Sequence, residues 1–409
     1  MALSELTRFL LPISLALISL VWVEIVRDSY HALAHYWAPL GRLHAWHHRV
    51  FKPDLIPVSG EIYRRAHWYN DVPEALVMLA FSFLPVVLLD WQPVPLVWGW
   101  APWLGSVYTL VFLLGAIARG LGLPQAEQWT DLTHRPGPFL QPPAPWRVNR
   151  TYHWRHHFDN QKAYYSGSLT LVDKILGTAL SLQGKTVAVT GANGTFGRAL
   201  LEQLQRRGAK IIALTSGQEP VVLKPQGAVN TVTWRVGQEE ALGELLAQVD
   251  ILVVNHGINV HHLRTPEAIS TAYEVNTFSG WRLLELFLTT VKTNKDIATK
   301  EVWVNTSEAE VGPAFSPLYE MSKRSLGDLV TLRRLDAPCV IRKLILGPFK
   351  SNLNPIGIMS AHWVAEQVVK GAQRDSRNII VTINPLTWVT FPLKETLVHW
   401  YFRLCSRAS

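Results

Sequence analysis

The chain is long enough for two domains and is richer in apolar residues than most soluble proteins. It has 409 residues, of which 48% are hydrophobic, and a formal net charge of +8. Two cysteines, Cys339 and Cys405, are too few for a disulfide framework or a thiolate metal site, which favours a reducing compartment. The positive charge forms no basic run or aromatic-studded basic stripe, so we expect no nucleic-acid partner.

Three long apolar segments occur in the first 121 residues. They run from Phe9 to Val23 with a continuation to Val26, from Val72 to Trp91 and from Leu96 to Leu121. The first is long enough to cross a bilayer and the third is the longest, whereas the second is short and Pro85 would kink it. Basic residues crowd the segment after the first span, whereas the Trp91 to Pro95 linker has none. The positive-inside tendency therefore predicts a multi-pass integral membrane protein whose C-terminal domain lies on the cytoplasmic face. A cleaved signal peptide and re-entrant hairpins are the alternatives.

Histidines are concentrated in the same part of the chain, where ten of the fifteen precede residue 158. Their i, i+3 and i+4 spacings place imidazoles on one face of a helix. A donor set of nitrogens without cysteine suits iron, zinc or copper, and the number of histidines exceeds what one ion can use. The pattern predicts two metal ions, with a set of interfacial histidines as the alternative. The predicted ligands are His31, His35, His44, His47, His48, His153, His156 and His157.

These clusters resemble the HxxxH, HxxHH and HxxHH boxes of the membrane fatty acid hydroxylase/sterol desaturase superfamily. The resemblance covers about residues 10 to 160. It implies a non-haem di-iron centre that activates O2 to oxidise an unactivated lipid carbon. The iron would receive its electrons from a donor such as a ferredoxin or cytochrome. It also implies that His134 is a further ligand. His67 resembles a family position too, although an interfacial histidine is an almost equal interpretation.

A different pattern begins at Gly184. The segment from Thr186 to Thr190 is a short β-branched strand, and a GxxGxxG turn and a helical segment follow it. Glycines in such a turn let the backbone approach a pyrophosphate, which the helix N-terminus binds. Further strands are predicted at 211–215, 251–254 and 302–305. The predicted fold is a helical membrane domain with a histidine-box metal site, followed by a Rossmann domain with a doubly wound parallel sheet.

Residues 184 to about 385 resemble the short-chain dehydrogenase/reductase family. The match includes the Thr190-Gly191 turn, Val254-Asn-His-Gly257 and Tyr319-Glu-Met-Ser-Lys323. The resemblance implies that Tyr319 transfers a proton to or from a carbinol oxygen and that Lys323 lowers the phenol pKa and holds the nicotinamide ribose. It implies that Ser307 orients the carbonyl and that Asn276 anchors a proton-relay water. The implied dinucleotide contacts are Gly191, Asn193, Gly194, Phe196, Gly197, Thr215, Ser216, Asn255, Gly257, Tyr319 and Lys323.

Several residues depart from that family's pattern. His256 replaces a small residue, Arg235-Val236 stands where an Asp-Val pair is common, and Gly347-Pro348 reverses the usual order. The second strand ends in Thr215-Ser216 without a carboxylate to repel a 2′-phosphate, which favours NADP over NAD. Lys224 is a weak candidate for a phosphate partner.

The predicted organisation is a membrane domain (1–160), a connector (161–183) with a helix over 169–182, a reductase domain (184–385) and an amphipathic tail (386–409). The tail either lies on a bilayer or docks against the reductase core. The combination resembles bifunctional sterol desaturase/short-chain dehydrogenase proteins. It implies that a lipid is hydroxylated or desaturated at the iron centre and that the reductase interconverts the resulting alcohol and carbonyl. The alternatives are that only the reductase is active, or that the chain is a non-catalytic NADP-binding scaffold; the oligomeric state is left open.

Overall fold

The computed structural model describes residues 2–90, 99–223, 227–352, 354 and 356–407, so the predicted Trp91 to Pro95 linker and Lys224 lie outside the described residues. The chain forms two compact units. The first contains the residues up to Phe139 together with Trp146–Thr178, and the second contains Leu140–Pro145 and the residues from Ala179 onward.

The first unit is helical in the part of the chain that the structure describes. Two of its helices are extended by a turn of another type: a π-helical turn (His67–Asp71) joins α3 to α4, and a 3-10 turn (Ala101–Trp103) precedes α6. The α-helices are α1 (Ala2–Ala34), α2 (Ala38–His48), α3 (Gly60–Ala66), α4 (Val72–Ser82), α5 (Leu84–Asp90), α6 (Leu104–Gly120), α7 (Ala126–Thr130), α8 (Arg150–Phe158) and α9 (Leu171–Leu176).

Three helical segments of this unit are long and apolar enough to cross a bilayer, as judged by length and composition. They are Leu10–Ala34, Gly60–Leu88 and Ala101–Gly120. The second begins at Gly60 rather than at the predicted Val72. The reason is local: the Ser59 hydroxyl caps α3 by accepting a hydrogen bond from the backbone N–H of Ile62 at 3.2 Å, and the π-helical turn continues the helix into α4.

The segment predicted as a connector is divided between the two units, and its residues up to Thr178 belong to the first. Its helix is α9 alone, shorter than the predicted 169–182. The helix ends at Leu176 because Gly177 adopts a left-handed conformation with a φ of +72°. Within α9, the buried carboxylate of Asp173 accepts hydrogen bonds from the Tyr152 hydroxyl and the backbone N–H groups of Tyr165 and Ser166, each at 2.8 Å. These bonds tie the segment to α8.

The second unit is built on a parallel sheet, as predicted. Its strands are β1 (Thr186–Thr190), β2 (Lys210–Thr215), β3 (Asn230–Thr233), β4 (Ile251–Val254), β5 (Glu301–Asn305), β6 (Val340–Leu346) and β7 (Asn378–Val381). Their spatial order is β3-β2-β1-β4-β5-β6-β7, with every neighbouring pair parallel, so the strand order reverses next to β1. A short antiparallel pair, Val222–Leu223 with Gly227–Ala228, lies outside this sheet.

Helices cover both faces of the sheet and bury it in two apolar layers. α10 and α16 pack on one face, and α11, α13 and α15 pack on the other. All strands point the same way, so their carboxyl ends and the loops that follow them share one edge. The helices of this unit are α10 (Thr195–Arg206), α11 (Gly243–Ala247), α12 (Pro266–Tyr273), α13 (Ser279–Leu288), α14 (Asn294–Thr299), α15 (Pro317–Arg333), α16 (Ala361–Gln373) and α17 (Thr387–Cys405).

Candidate functional site

The glycine turn joins the end of β1 to the start of α10. Gly191 has a φ of +59°, in the left-handed region that favours glycine. Gly197 lies in the first turn of α10, where an added Cβ would be 2.3 Å from the carbonyl oxygen of Gly191. The backbone therefore passes too close to itself for any side chain at Gly197. This is the tight strand-to-helix turn that leaves N–H groups free to bind a phosphate.

Gly197→Ala should weaken dinucleotide binding and destabilise the reductase unit. Relieving a 2.3 Å contact with a backbone atom requires the turn to move, which we expect to cost roughly 1–3 kcal/mol. Gly243→Ala is a matched control, because an added Cβ there meets only Leu286 at 3.9 Å at the start of α11. Nucleotide titration and thermal unfolding of both variants check the prediction, and equal behaviour of the two would contradict it.

The other predicted dinucleotide contacts lie around the same edge. Gly194 caps α10 through its backbone, and the Asn193 side chain accepts a hydrogen bond from Arg198 Nε at 3.0 Å. Thr215 is buried at the end of β2, and Ser216 beside it is exposed. Phe196 differs from the rest: it is buried and packs on Phe349 at 5.6 Å between ring centroids, so its side chain belongs to the core.

Ser307 and Tyr319 are brought together at the carboxyl edge. Ser307 follows β5 with a φ of +77°, a strained conformation for a residue with a side chain. Tyr319 lies in the first turn of α15. Burial raises the pKa of the Tyr319 phenol, and a hydrogen bond from Ser307 opposes that increase by stabilising the phenolate. The pair thus has the arrangement needed to hold a carbinol or carbonyl oxygen and move its proton.

Lys323 lies one helical turn after Tyr319 and is almost completely buried. Its ammonium donates a hydrogen bond to the Asn305 carbonyl at 2.9 Å and lies 5.9 Å from the centroid of the Tyr319 ring. Burial lowers the pKa of Lys323 to about 8, and the charge of Glu310 works in the other direction. Lys323 therefore remains mainly protonated at pH 7, where its charge favours the tyrosinate.

Asn276 is held inside a π-helical turn, Glu274–Phe278. Its side chain accepts a hydrogen bond from the Ile258 N–H at 2.8 Å and donates to the Ile258 carbonyl at 2.9 Å. Gly257 precedes Ile258, and an added Cβ there would be 3.1 Å from the Asn276 oxygen and 3.5 Å from Lys323 Nζ. Asn276 therefore positions the backbone beside Lys323. At the end of β4, Asn255 accepts a hydrogen bond from the Asn305 side chain at 3.0 Å.

His256, which departs from the family pattern, belongs to a directed chain of hydrogen bonds. The Thr190 hydroxyl oxygen accepts from the backbone N–H groups of Asn255 at 2.8 Å and His256 at 3.2 Å, and the hydroxyl has two acceptors within reach, His256 Nδ1 at 2.9 Å and the Val253 carbonyl at 3.3 Å. His256 Nε2 then donates to Ser279 at 3.1 Å, and Ser279 donates to Glu239 at 2.6 Å. Burial lowers the pKa of His256 to about 3, which keeps the imidazole neutral.

This depressed pKa predicts a pH dependence of stability. His256 binds a proton below pH 6.5 in the unfolded chain but only near pH 3 in the folded one, so its contribution is complete above pH 6.5 and is lost as the pH falls toward 3. The slope is about 1.4 kcal/mol per pH unit. The free energy of unfolding obtained from hydrogen exchange of the β1 and β4 amides should fall less steeply with falling pH in His256→Gln than in the unchanged protein, and the difference in slope should be about this size. An identical pH dependence in both would refute the assignment.

All nine predicted metal ligands lie in two sets, and these are the metal-ligand sets with three or more members that the described residues contain. The first set is His31, His35, His44, His48 and His156, and the second is His47, His134, His153 and His157. Within each set the ligand atoms lie within 4.8 Å of one another. The boxes are therefore shared: each HxxHH box gives its i, i+4 pair to one set and its i+3 histidine to the other.

Hydrogen bonds at Nδ1 fix the orientation of three of these rings. His44 Nδ1 faces the Asn70 amide oxygen at 2.7 Å, His134 Nδ1 faces the Asp131 carboxylate at 2.6 Å and His156 Nδ1 faces the Ala163 carbonyl at 2.8 Å. Because each partner is an acceptor, each Nδ1 carries the proton and each Nε2 presents a lone pair. Asn70, Asp131 and Ala163 were not identified from the sequence, since nothing in their spacing links them to the boxes.

The Nε2 atoms so oriented converge on each other. His156 Nε2 lies 2.9 Å from His31 Nε2, and His134 Nε2 lies 2.9 Å from His153 Nε2. Burial, and next the neighbouring histidines, lower the pKa of His153 and keep its imidazole neutral. Neutral nitrogen donors packed at this distance fit a cation at each centre. His67 belongs to neither set, and its Nδ1 binds the Asp71 carboxylate at 2.6 Å.

Comparison with known proteins identifies the second unit. The model of the short chain dehydrogenase family matches residues 185–338 and does not extend to the histidine sets. A short-chain dehydrogenase from Burkholderia cenocepacia in complex with NADP is 18% identical and aligns over 56% of this chain and 100% of its own, with a TM-score of 0.45. One from Sphingobium yanoikuyae in complex with NADPH is 17% identical and aligns over 55% and 99%, also with a TM-score of 0.45.

A relative matches almost the whole chain. The monoglucosyldiacylglycerol epimerase of Synechocystis sp. is 66% identical over 412 residues, which cover 98% of this chain and 99% of that protein. The uncharacterized oxidoreductase YvaG of Bacillus subtilis is 31% identical over 37% of this chain and 65% of its own. The chain therefore belongs to the protein family of the Synechocystis monoglucosyldiacylglycerol epimerase, with a short-chain dehydrogenase domain in its C-terminal half.

Proposed function

We propose that the reductase unit epimerises one carbinol carbon of the glucosyl group of a monoglucosyldiacylglycerol. The observation that carries the proposal is the convergence of Ser307, Tyr319 and Lys323 at one edge of the sheet, in a chain 66% identical to an epimerase over nearly its full length. Such a site acts on a carbon that bears a hydroxyl, and a hexosyl group offers several. The lipid class comes from the name of the relative.

Epimerisation by this site requires two hydride transfers of opposite direction. Bound NAD(P) supplies a reversible hydride acceptor. Tyr319 takes the hydroxyl proton as the C–H bond of the carbinol breaks, and the carbon becomes a ketone. The ketone then turns so that the opposite face of its carbonyl carbon is directed toward the dinucleotide. Tyr319 returns the proton to the carbonyl oxygen as the hydride returns to that carbon, while Ser307 holds the oxygen. The two steps cancel, so no net oxidant is consumed.

The dinucleotide is proposed to be NADP. The turn at Gly191 and Gly197 accommodates a pyrophosphate because no side chain fits there. Thr215 and Ser216 end β2 without a carboxylate that would repel a 2′-phosphate. NAD remains the alternative to be compared in the same titration.

A second activity is proposed for the first unit, because two sets of imidazoles converge there. The nine histidines would hold two iron ions, which supply O2-dependent oxidation of an unactivated lipid carbon with electrons from a ferredoxin or cytochrome. The buried rings supply neutral nitrogen ligands, and Asn70, Asp131 and Ala163 orient them. A hexosyl group already bears hydroxyls, so the reductase site does not depend on a hydroxyl made at the metal centre.

The proposed epimerisation is tested with the purified full chain in detergent. Monoglucosyldiacylglycerol and a small amount of NADP are added, and the sugar released from the lipid by hydrolysis is identified by chromatography. We expect an epimeric hexose to appear without accumulation of NADPH. If glucose is the sole sugar with NADP and with NAD, the proposal is wrong.

A further inference from the structure

The last helix, α17, docks on the reductase core through one face. Thr387, Phe391 and Glu395 are buried at i, i+4 and i+8 along that face. The sequence left docking and a bilayer position as alternatives for this segment. In the structure one face of α17 is docked on the core, and the opposite face is exposed.

Charged contacts hold the helix rigidly in this position. Lys394 Nζ lies 2.6 Å from the Asp328 carboxylate, and the Glu395 carboxylate lies 2.8 Å from Lys343 Nζ and 3.0 Å from the Arg334 guanidinium. Lys343 is buried, so its pairing with Glu395 is shielded from water. The orientation of α17 about its own axis is therefore fixed.

The outward face is an apolar stripe. At 100° per residue its members lie opposite the docked residues, and each is between 55% and 78% exposed. Surface leucines occur singly in most proteins, whereas five aligned side chains form a continuous strip. The members of this α17 stripe are Val389, Leu393, Leu397, Trp400 and Leu404.

The charges beside the stripe are positive. Arg403 and Arg407 are exposed, and the Arg403 guanidinium lies 5.9 Å from the centroid of the Trp400 ring. Glu395 is the one carboxylate in residues 386–407, and it is buried. A second copy of this helix would offer these arginines no exposed carboxylate. An anionic lipid surface offers both a partner for the arginines and an apolar layer for the stripe.

We propose that the α17 stripe lies in a lipid bilayer, at the boundary between headgroups and acyl chains. A tryptophan and flanking arginines beside aliphatic residues are typical of helices that lie in this layer. The inference rests on the proposed function in one respect, namely that a diacylglycerol lipid keeps its acyl chains in the bilayer while its sugar is processed. The same chain has three helices long enough to cross a membrane.

The start of α17 is connected to the catalytic residues. The buried carboxylate of Glu308 accepts hydrogen bonds from the side chains of Thr382 and Asn384, each at 2.9 Å, and from the Thr387 hydroxyl. Glu308 directly follows Ser307. A bilayer that receives the α17 stripe would therefore lie close to the edge where Ser307 holds the sugar oxygen, which lets a glycolipid headgroup reach the site without leaving the membrane.

The test measures the depth of the stripe in the full chain. Cys405→Ser leaves Cys339, which is buried, as the remaining cysteine. Leu397→Cys is added, labelled with a nitroxide and placed in nanodiscs of phosphatidylcholine and phosphatidylglycerol. Collisions with O2, which partitions into lipid, and with a water-soluble nickel chelate are then compared. We expect a depth of roughly 5–10 Å below the headgroups.

Lys292→Cys in the same background is the control, because it is exposed in the loop between α13 and α14. Its label should collide mainly with nickel. Trp400→Cys replaces Leu397→Cys if the latter does not fold. The proposal is overturned if the label on the stripe collides with nickel as often as the control label does. It is also overturned if the label on the stripe is shielded from both reagents and shows spin–spin broadening, because that result indicates contact with a second copy of the chain. No substrate is present, so failure here is distinguishable from failure of epimerisation.

Discussion

Tyr319→Phe should lower the rate of hexosyl epimerisation by about 10²- to 10⁴-fold, the range typical for loss of a general acid or base. In the proposed reaction the phenol oxygen of Tyr319 accepts the carbinol proton in the first step and returns it in the second. Phenylalanine keeps the ring and its packing, so dinucleotide affinity and stability should not change. Rates measured with the glycolipid in detergent, together with NADP titration, check this.

Tyr401→Phe is the matched control for that experiment. Tyr401 lies on α17 with an exposed side chain and outside the catalytic edge, so removal of its hydroxyl should leave the rate unchanged. A Tyr319→Phe variant that epimerises at the rate of Tyr401→Phe would show that another group moves the proton.

Removal of histidine pairs should remove metal one centre at a time. His153→Ala with His157→Ala takes two of the four ligands from the second set, and His44→Ala with His48→Ala takes two of the five from the first. We expect bound iron to fall from about two ions per chain to about one in each double variant, and to about none when both are combined, because two imidazoles do not complete a site.

His362→Ala is the control for metal content, since this histidine is exposed on α16 and belongs to neither set. Elemental analysis of the purified full chain gives the number and identity of the ions. Zinc would contradict the O2-dependent activity, and a protein without metal would contradict the metal centre altogether. Epimerisation should persist in all these variants if the two sites act independently.

The parallel sheet could be predicted because its strands have a strong local pattern. The predicted 186–190 and 251–254 segments are β1 and β4, and the predicted 302–305 segment is β5 without its first residue. β3, β6 and β7 were not identified, and in β6 the reason is that Arg342 and Lys343 interrupt the apolar run. Both are buried, and Arg342 is paired with the Glu301 carboxylate at 2.8 Å, a long-range partner that no local pattern reveals.

The grouping of the histidines could not be predicted from the boxes. Spacing places His153, His156 and His157 on one helical face and does not indicate which of the two ions each one would bind. In the structure His156 faces His31, and His153 and His157 face His134, because a difference of one residue on a helix rotates a side chain by 100°. Which ring nitrogen is available depends on partners such as Asp131, which only the folded chain brings close.

The central claim is that a hydride leaves one face of a sugar carbon and returns to the other, and an isotope label tests it most directly. A monoglucosyldiacylglycerol with deuterium on its hexosyl carbons is incubated in H2O with the full chain and a small amount of NADP, without added NADPH, and the product is analysed by mass spectrometry. We expect the epimeric product to keep its deuterium, since the same bound dinucleotide takes and returns the hydride. Replacement of one deuterium by solvent hydrogen would indicate epimerisation by proton removal and would contradict the account.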